Sequence, residues 1–403
     1  MEGWKTDKLG LLCKMYQPQT IATSELNENG RYLVYGANGV IGKYDKYNHE
    51  ESQLLMTCRG NTCGEITVTK PFSWINGNAM VISPINHQIN TKYLEYYLKH
   101  ISLEHIITGG AQPQITRTAL RLLKVSYPES KSEQSAIAAM LSKVDEAIAA
   151  VQGSIAAAER LKKSLMQNLL TGRMKPDGTL RKEDEFYLDE KFGKVPVGWV
   201  VKRLKDICLN SGDYGANASA IDYDETKPRF IRITDIDDFG QLLDDGKAGM
   251  AGDNYSKYLL EEDDFLFART GDTVGKSLLY KKEMGLAVYA GYLIKFSFDK
   301  KKVLPEYFDL IAKSEFFEAF KIAMKRVGAK PNINSREYCS FRFLLPSDTE
   351  EQKEIYGKFA NIDKSQNSKQ QKIATLERLK KSLMQNLLTG RVRVKCTINN
   401  LNK

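Results

Sequence analysis

The chain has 403 residues, 42% hydrophobic and 27% charged, with a net charge of +9. It is too long for one ordinary domain and apolar enough for two or three cores, and its basic surplus favours an acidic partner such as nucleic acid. No apolar run reaches the ~18 residues of a membrane-spanning helix, and the opening MEGWKTDKLGLL lacks a signal-peptide pattern. The cysteines at 13, 58, 63, 208, 339 and 396 include one close pair, Cys58 and Cys63, with no second pair facing it. A zinc site is therefore not expected, and the thiols read as those of a reduced, cytoplasmic protein.

In chain order, short β-branched and aromatic runs come first: RYLVYGANG and EITVTKPFSWING, bounded by Gly and Asn. An amphipathic stretch, TKYLEYYLKHI, then leads to the loop GAQPQI and a strand ending at Pro128. Ser130 and Glu133 have capping-box spacing. Apolar residues follow at Ile137, Leu141, Val144, Ile148, Val151, Ile155 and Ala158, in alternating steps of four and three. That spacing predicts a coiled-coil helix from Lys131 to Thr171, with Gly172 as its stop and a length of ~60 Å. A basic, turn-rich stretch, GRMKPDGTLRKEDE, comes next, and VPVGWVVKRLKDI then echoes the opening GWKTDKLGLL. Further strand-like runs, PRFIRITDI and AVYAGYLIKFSF, precede the helical stretch PEYFDLIAKSEFFEAFKIAM. GAKPNI and a second long helical pattern complete the chain.

The second pattern is a copy of the first. ERLKKSLMQNLLTGR occurs at Glu159–Arg173 and, unchanged, 218 positions later at Glu377–Arg391. The register extends backwards without a gap: Asp145 falls on Asp363, Gln134 on Gln352, Glu133 on Glu351, Pro128 on Pro346 and GAQPQI on GAKPNI. Gln366 and Lys369 replace Ile148 and Val151 in the second seam. Two helices of equal length in one chain pack most economically on each other. The fold class that follows is α+β, with two mixed α/β domains separated by two long helices that form an antiparallel coiled coil. The expected domains are 1–130 and 196–347, with helices at 131–173 and 348–391, a linker at 174–195 and a tail at 392–403.

Catalytic motifs are absent. GDTVGKS (Gly271–Ser277) and GANGVIGKY (Gly36–Tyr44) imitate phosphate loops, but their glycine spacings are three and five where the motif needs four. There is no G-x-S-x-G elbow, no H-E-x-x-H and no His/Cys ligand cluster. The chain reads as non-catalytic.

Taken together, the duplicated LMQNLLTGR helix ends, the VPVGW segment, ARTGDTVGK (Ala268–Lys276) with its shorter counterpart CRGNTCG (Cys58–Gly64), and the two GAxPxI loops resemble the specificity subunit of a type I restriction–modification system. The resemblance covers essentially the whole chain. It implies that each variable region is a target-recognition domain reading one half of a split, asymmetric sequence in double-stranded DNA. It implies long helices that act as a spacer and dock two adenine-methyltransferase (modification) subunits, with restriction subunits as further partners. It implies no cofactor on this chain, with S-adenosylmethionine, ATP and Mg carried by partner subunits, and no membrane.

Base reading favours Arg or Lys for guanine and Asn or Gln for adenine. Candidate DNA-binding residues in the first variable domain are Asn38, Lys43, Arg59, Asn61, Gln112 and Gln114. In the second they are Arg269, Asp272, Lys276, Lys330, Asn332 and Arg336. Arg59 and Arg269 read as one recurring feature, which would suit the fold or the phosphates. The helix-end leucines Leu161, Leu165, Leu169, Leu379, Leu383 and Leu387 are the expected docking surface. Two other readings fit part of the pattern: the specificity subunit of a fused methyltransferase–nuclease system, and a basic coiled-coil scaffold with no sequence preference.

Overall fold

A computed structural model describes residues 2–85, 88–110, 112–324 and 331–394. The chain divides into two compact units, Met1–Ser154 with Lys369–Lys403, and Ile155–Ser368. The boundaries fall inside the long helices, Lys131–Leu169 and Thr349–Leu387, which are 39 residues each. Each unit therefore holds one variable domain, or head, with the first part of one long helix and the last part of the other.

In the first unit the opening strand Trp4–Lys8 pairs antiparallel with Lys124–Pro128, placing Trp4 opposite Pro128. Between them lies a four-stranded antiparallel sheet in the order Cys13–Tyr16, Ala79–Pro84, Leu54–Thr57, Ile66–Val68. A three-stranded sheet has Tyr32–Gly36 at its centre, antiparallel to Gly39–Tyr44 and parallel to Trp74–Ile75. The helix Thr91–His100 starts at Asn90, whose side chain accepts from the amides of Lys92 and Tyr93.

The second unit repeats this plan. Trp199–Arg203 pairs with Arg342–Pro346, Trp199 opposite Pro346. Its main sheet orders Asp213–Tyr214, Leu293–Phe296, Phe265–Ala268 and Ser277–Leu279 in the same way. Its second sheet keeps the parallel pair, Arg229–Ile231 with Ala287–Tyr289, and the antiparallel neighbour, Ala248–Met250, and adds one strand, Ala220–Asp222. Two features differ from expectation. The stretch 305–324 forms two helices, Pro305–Ala312 and Glu315–Met324, because the Ser314 hydroxyl bonds Ile311 O at 2.7 Å and interrupts the ladder. The expected linker folds instead into a hairpin, Phe186–Asp189 with Gly193–Pro196. Arg181 anchors it, donating to Gly172 O at 2.8 Å, pairing with Glu351 and lying over the Trp199 ring.

A buried glutamine joins each head to its helix. Gln134 accepts from the Asn90 amide at 2.7 Å and donates to Pro128 O and Gln88 O. Gln352 accepts from the Leu304 amide at 2.7 Å and donates to Pro346 O and Lys302 O. Both are fully buried, and each satisfies three backbone groups that packing would otherwise strand.

The helix segments run antiparallel in each unit. In the first, Ile137 and Leu141 share a core with Leu387 and Leu388, and Asp145 pairs with Lys380 at 2.6 Å. In the second, Ile355 and Phe359 share a core with Leu169 and Leu170, and Asp363 pairs with Lys162 at 2.5 Å. The two ion pairs are equivalents in the repeat. Burial raises the Asp145 carboxyl pKa, but Lys380 and the Tyr96 hydroxyl outweigh it and hold the group below its ordinary value.

This packing corrects the expected docking surface. Leu169 and Leu387 are buried, and Leu165 and Leu383 pack against the same cores. Leu169 and Leu387 thus belong to the heads' own cores, while Leu165 and Leu383 are only partly covered. Leu161 and Leu379 alone of the six stay in the open, 53% and 47% exposed.

Replacing Gln352 with Ala leaves the Leu304 amide and two carbonyls unsatisfied in the core. The expected cost is about 2–4 kcal/mol, read as a lower urea midpoint for the second unit. An unchanged midpoint would show that water replaces the side chain without loss.

Candidate nucleic-acid interface

In each head the strand before the Gly-rich motif runs into a tight turn, and the GAxPxI loop lies against it. In the first head, Gly64 N–H donates to Thr57 O at 2.8 Å and Cys63 N–H to Gly60 O at 3.0 Å. Gly60 N–H then reaches Pro113 O at 2.9 Å, and Ile115 N–H reaches Cys58 O at 3.0 Å. The second head repeats each bond: Gly275 to Ala268 O at 3.0 Å, Val274 to Gly271 O at 3.2 Å, Gly271 to Pro331 O at 2.9 Å and Ile333 to Arg269 O at 2.9 Å. Gly60 and Gly271 have φ of +84° and +68°, which glycine adopts without the Cβ clash.

These bonds set a register that motif comparison misses. Gly60 lies over Gly271, Asn61 over Asp272, Thr62 over Thr273 and Gly64 over Gly275. Counting back from the glycines, Arg59 falls on Thr270 and Cys58 on Arg269, so Arg59 and Arg269 are not equivalents. The isolated bridges agree, since Arg59 pairs with Gln114 where Thr270 pairs with Asn332.

In the first head the turn and loop bring Arg59, Asn61, Gln112 and Gln114 together, all exposed. Asn38 joins them by accepting from the Thr62 hydroxyl at 2.5 Å. Lys43 does not: it is exposed near the far end of the strand Gly39–Tyr44, about 16 Å along the backbone from Asn38 at the ordinary strand rise.

In the second head Asp272, Asn332 and Arg336 are exposed on the same two loops, Arg336 on the short helix Ser335–Cys339. Lys276 is engaged elsewhere, with its ammonium 2.9 Å from Asp238 and 3.2 Å from Ile236 O. Lys330 lies outside the described residues. Arg269 is half-buried, with its guanidinium 4.8 Å from the centre of the Tyr214 ring. Tyr214 escaped sequence reading because it meets Arg269 through sheet packing, with no local motif. Amides and guanidinium groups on rigid turns are the donors and acceptors that read base edges.

Comparison with known proteins identifies the family. The sequence profile described as "Type I restriction modification DNA specificity domain" matches residues 1–160 and 196–378, taking in both heads and most of both long helices. The chain belongs to this family. It is similar to the type I restriction enzyme MjaVIII specificity subunit of Methanocaldococcus jannaschii, with 24% identity over 98% of this chain and 94% of the relative. It is also similar to the EcoprrI specificity subunit of Escherichia coli, 29% identical over 42% of this chain and 41% of that one. Among solved structures, the type I S subunit from M. genitalium shares the fold with a TM-score of 0.62 and 16% identity, covering 98% of this chain and 97% of that one. A chain from a structure of type I complex assembly and conformational transition gives a TM-score of 0.57 at 12% identity, covering 97% and 99%. Among the described residues, no helix is long and apolar enough to cross a membrane.

Within this specificity subunit the turn that carries Arg59 is held from below by Cys58. Burial, helped by neighbouring Cys63, pushes the Cys58 thiol up to about 11. The thiol is therefore protonated and poorly nucleophilic at neutral pH. Iodoacetamide at pH 8 is expected to label Cys58 at least tenfold more slowly in the native protein than in denaturant, as read by peptide mass spectrometry. Equal rates would mean that the turn opens freely.

Proposed function

We propose that this chain is the non-catalytic DNA-recognition subunit of a type I restriction–modification complex. Each head reads one half of a split, asymmetric target in duplex DNA. The long helices, wound as an antiparallel coiled coil, set the gap between the halves and dock two adenine-methyltransferase subunits. S-adenosylmethionine belongs on those subunits, and ATP and Mg on restriction subunits where these join, in the cytoplasm.

The observation that carries the reading is the fifteen-residue identity at the helix ends. Packing constrains only the buried positions. Glu159, Arg160, Leu161, Lys163 and Gln167 are exposed, as are Glu377, Arg378, Leu379, Lys381 and Gln385. Identity at open positions in two units whose heads differ suits one partner surface met twice, with pseudo-twofold symmetry. Unlike heads suit two unlike half-sites. A 39-residue helix is ~59 Å long, ample for half-sites about one DNA turn apart, ~34 Å.

The deciding experiment is a genome-wide map of methylated adenine with the gene present and deleted. The expected result is loss of one split motif, and an unchanged map would overturn the reading. Leu161→Glu and Leu379→Glu, made singly, each place a charge on one docking face. Each variant is expected to bind one modification subunit in place of two by native mass spectrometry. Undiminished binding of two would move the docking surface elsewhere.

A further inference from the structure

We infer that Arg269 and Tyr214 form a preorganised guanine reader in the second head, with no counterpart in the first. The inference rests on the DNA-reading function proposed above and names what one position of one half-site must be.

Both sides of Arg269 are pinned by the backbone. Its amide donates to Tyr292 O at 3.0 Å, and its carbonyl accepts from the Ile333 amide at 2.9 Å. The guanidinium then lies over the face of Tyr214, 4.8 Å from the ring centre. Tyr214 is itself fixed: it pairs with Ile294 in the sheet, and its hydroxyl accepts from the Ser335 amide at 3.1 Å. Stacking of this kind holds the guanidinium plane and spares much of its rotamer entropy.

Which edge of the group is left open follows from burial. Nε is buried and has no hydrogen-bond partner among the described residues. No described acid pairs with the guanidinium, although the side chain is half-buried beside the exposed Asn332 loop. The open donors are the two terminal nitrogens. Presented end-on, they match the O6 and N7 acceptors of guanine in the major groove. A phosphate contact requires no such alignment and is commonly made by freely hydrated Lys or Arg. The first head has Cys58 at the equivalent position, and the neighbouring Arg59 is exposed rather than stacked. The two heads therefore differ at this place in what they can read.

The test is selection of bound duplexes from a randomised library by the full chain in complex with its modification subunits. The wild type is expected to prefer guanine by about tenfold or more at one position of one half-site. Arg269→Ala and Arg269→Lys should both lose that preference and keep the other half-site intact, since lysine retains the charge but not the fork. Tyr214→Leu should weaken the same preference, and Tyr214→Phe should largely restore it because the ring remains. That rescue marks Tyr214 as a positioning residue rather than a general support of the fold. Uniformly weaker binding with every base preference retained, or full binding by Arg269→Lys, would make Arg269 a phosphate contact and overturn the inference alone. A wild type without preference in either half would overturn the proposed function and this inference with it.

Discussion

Neither head closes its own core. The first is completed by Leu387 and Leu388 at the end of the second helix, and the second by Leu169 and Leu170 at the end of the first. Each buried leucine contributes about 2 kcal/mol of hydrophobic stabilisation, and truncating one to Ala would also leave a cavity costing a few kcal/mol in total. Within each unit this exchange sets the start of one long helix antiparallel to the end of the other. A helix that starts from one head must run to the other core, and the repeat makes both helices do so.

The polar contacts reinforce the same exchange. Gln134 and Gln352 tie each helix start to the end of its strand pair through matched sets of bonds. Asp145–Lys380 and Lys162–Asp363 then join the first half of one helix to the second half of the other. Glu133 is held by Arg393, and Glu351 by Arg181, so the symmetry survives even where the arginines come from unlike segments. With these scaffolds matched, the heads are free to differ at the turns where bases are read. Asn61 corresponds to Asp272 in the repeat, and Arg269 has Cys58 as its counterpart.

Much of this is legible in the sequence. The repeat gives both long helices, with starts within one residue of those observed and ends four residues beyond Leu169 and Leu387. The misreadings have physical causes. Motif comparison pairs arginine with arginine in CRGNTCG and ARTGDTVGK, whereas the backbone bonds pair glycine with glycine, because glycine takes the turn's positive φ without a Cβ clash. The helix-end leucines looked like a docking stripe because an apolar heptad has the same appearance whether it faces a partner or the core of its own chain. Lys276 looked like a free cation until tertiary packing brought Asp238 to it.

The sequence by itself determined the duplication, the α+β class, the long helices and the family, since these rest on periodicity and local identity within short windows. Tertiary structure decided which leucines are buried, which arginine stands free and which lies on Tyr214, and that each core is finished by a distant helix end. These depend on contacts between residues far apart in the chain, whose pairing is set by the geometry of burial rather than by local pattern.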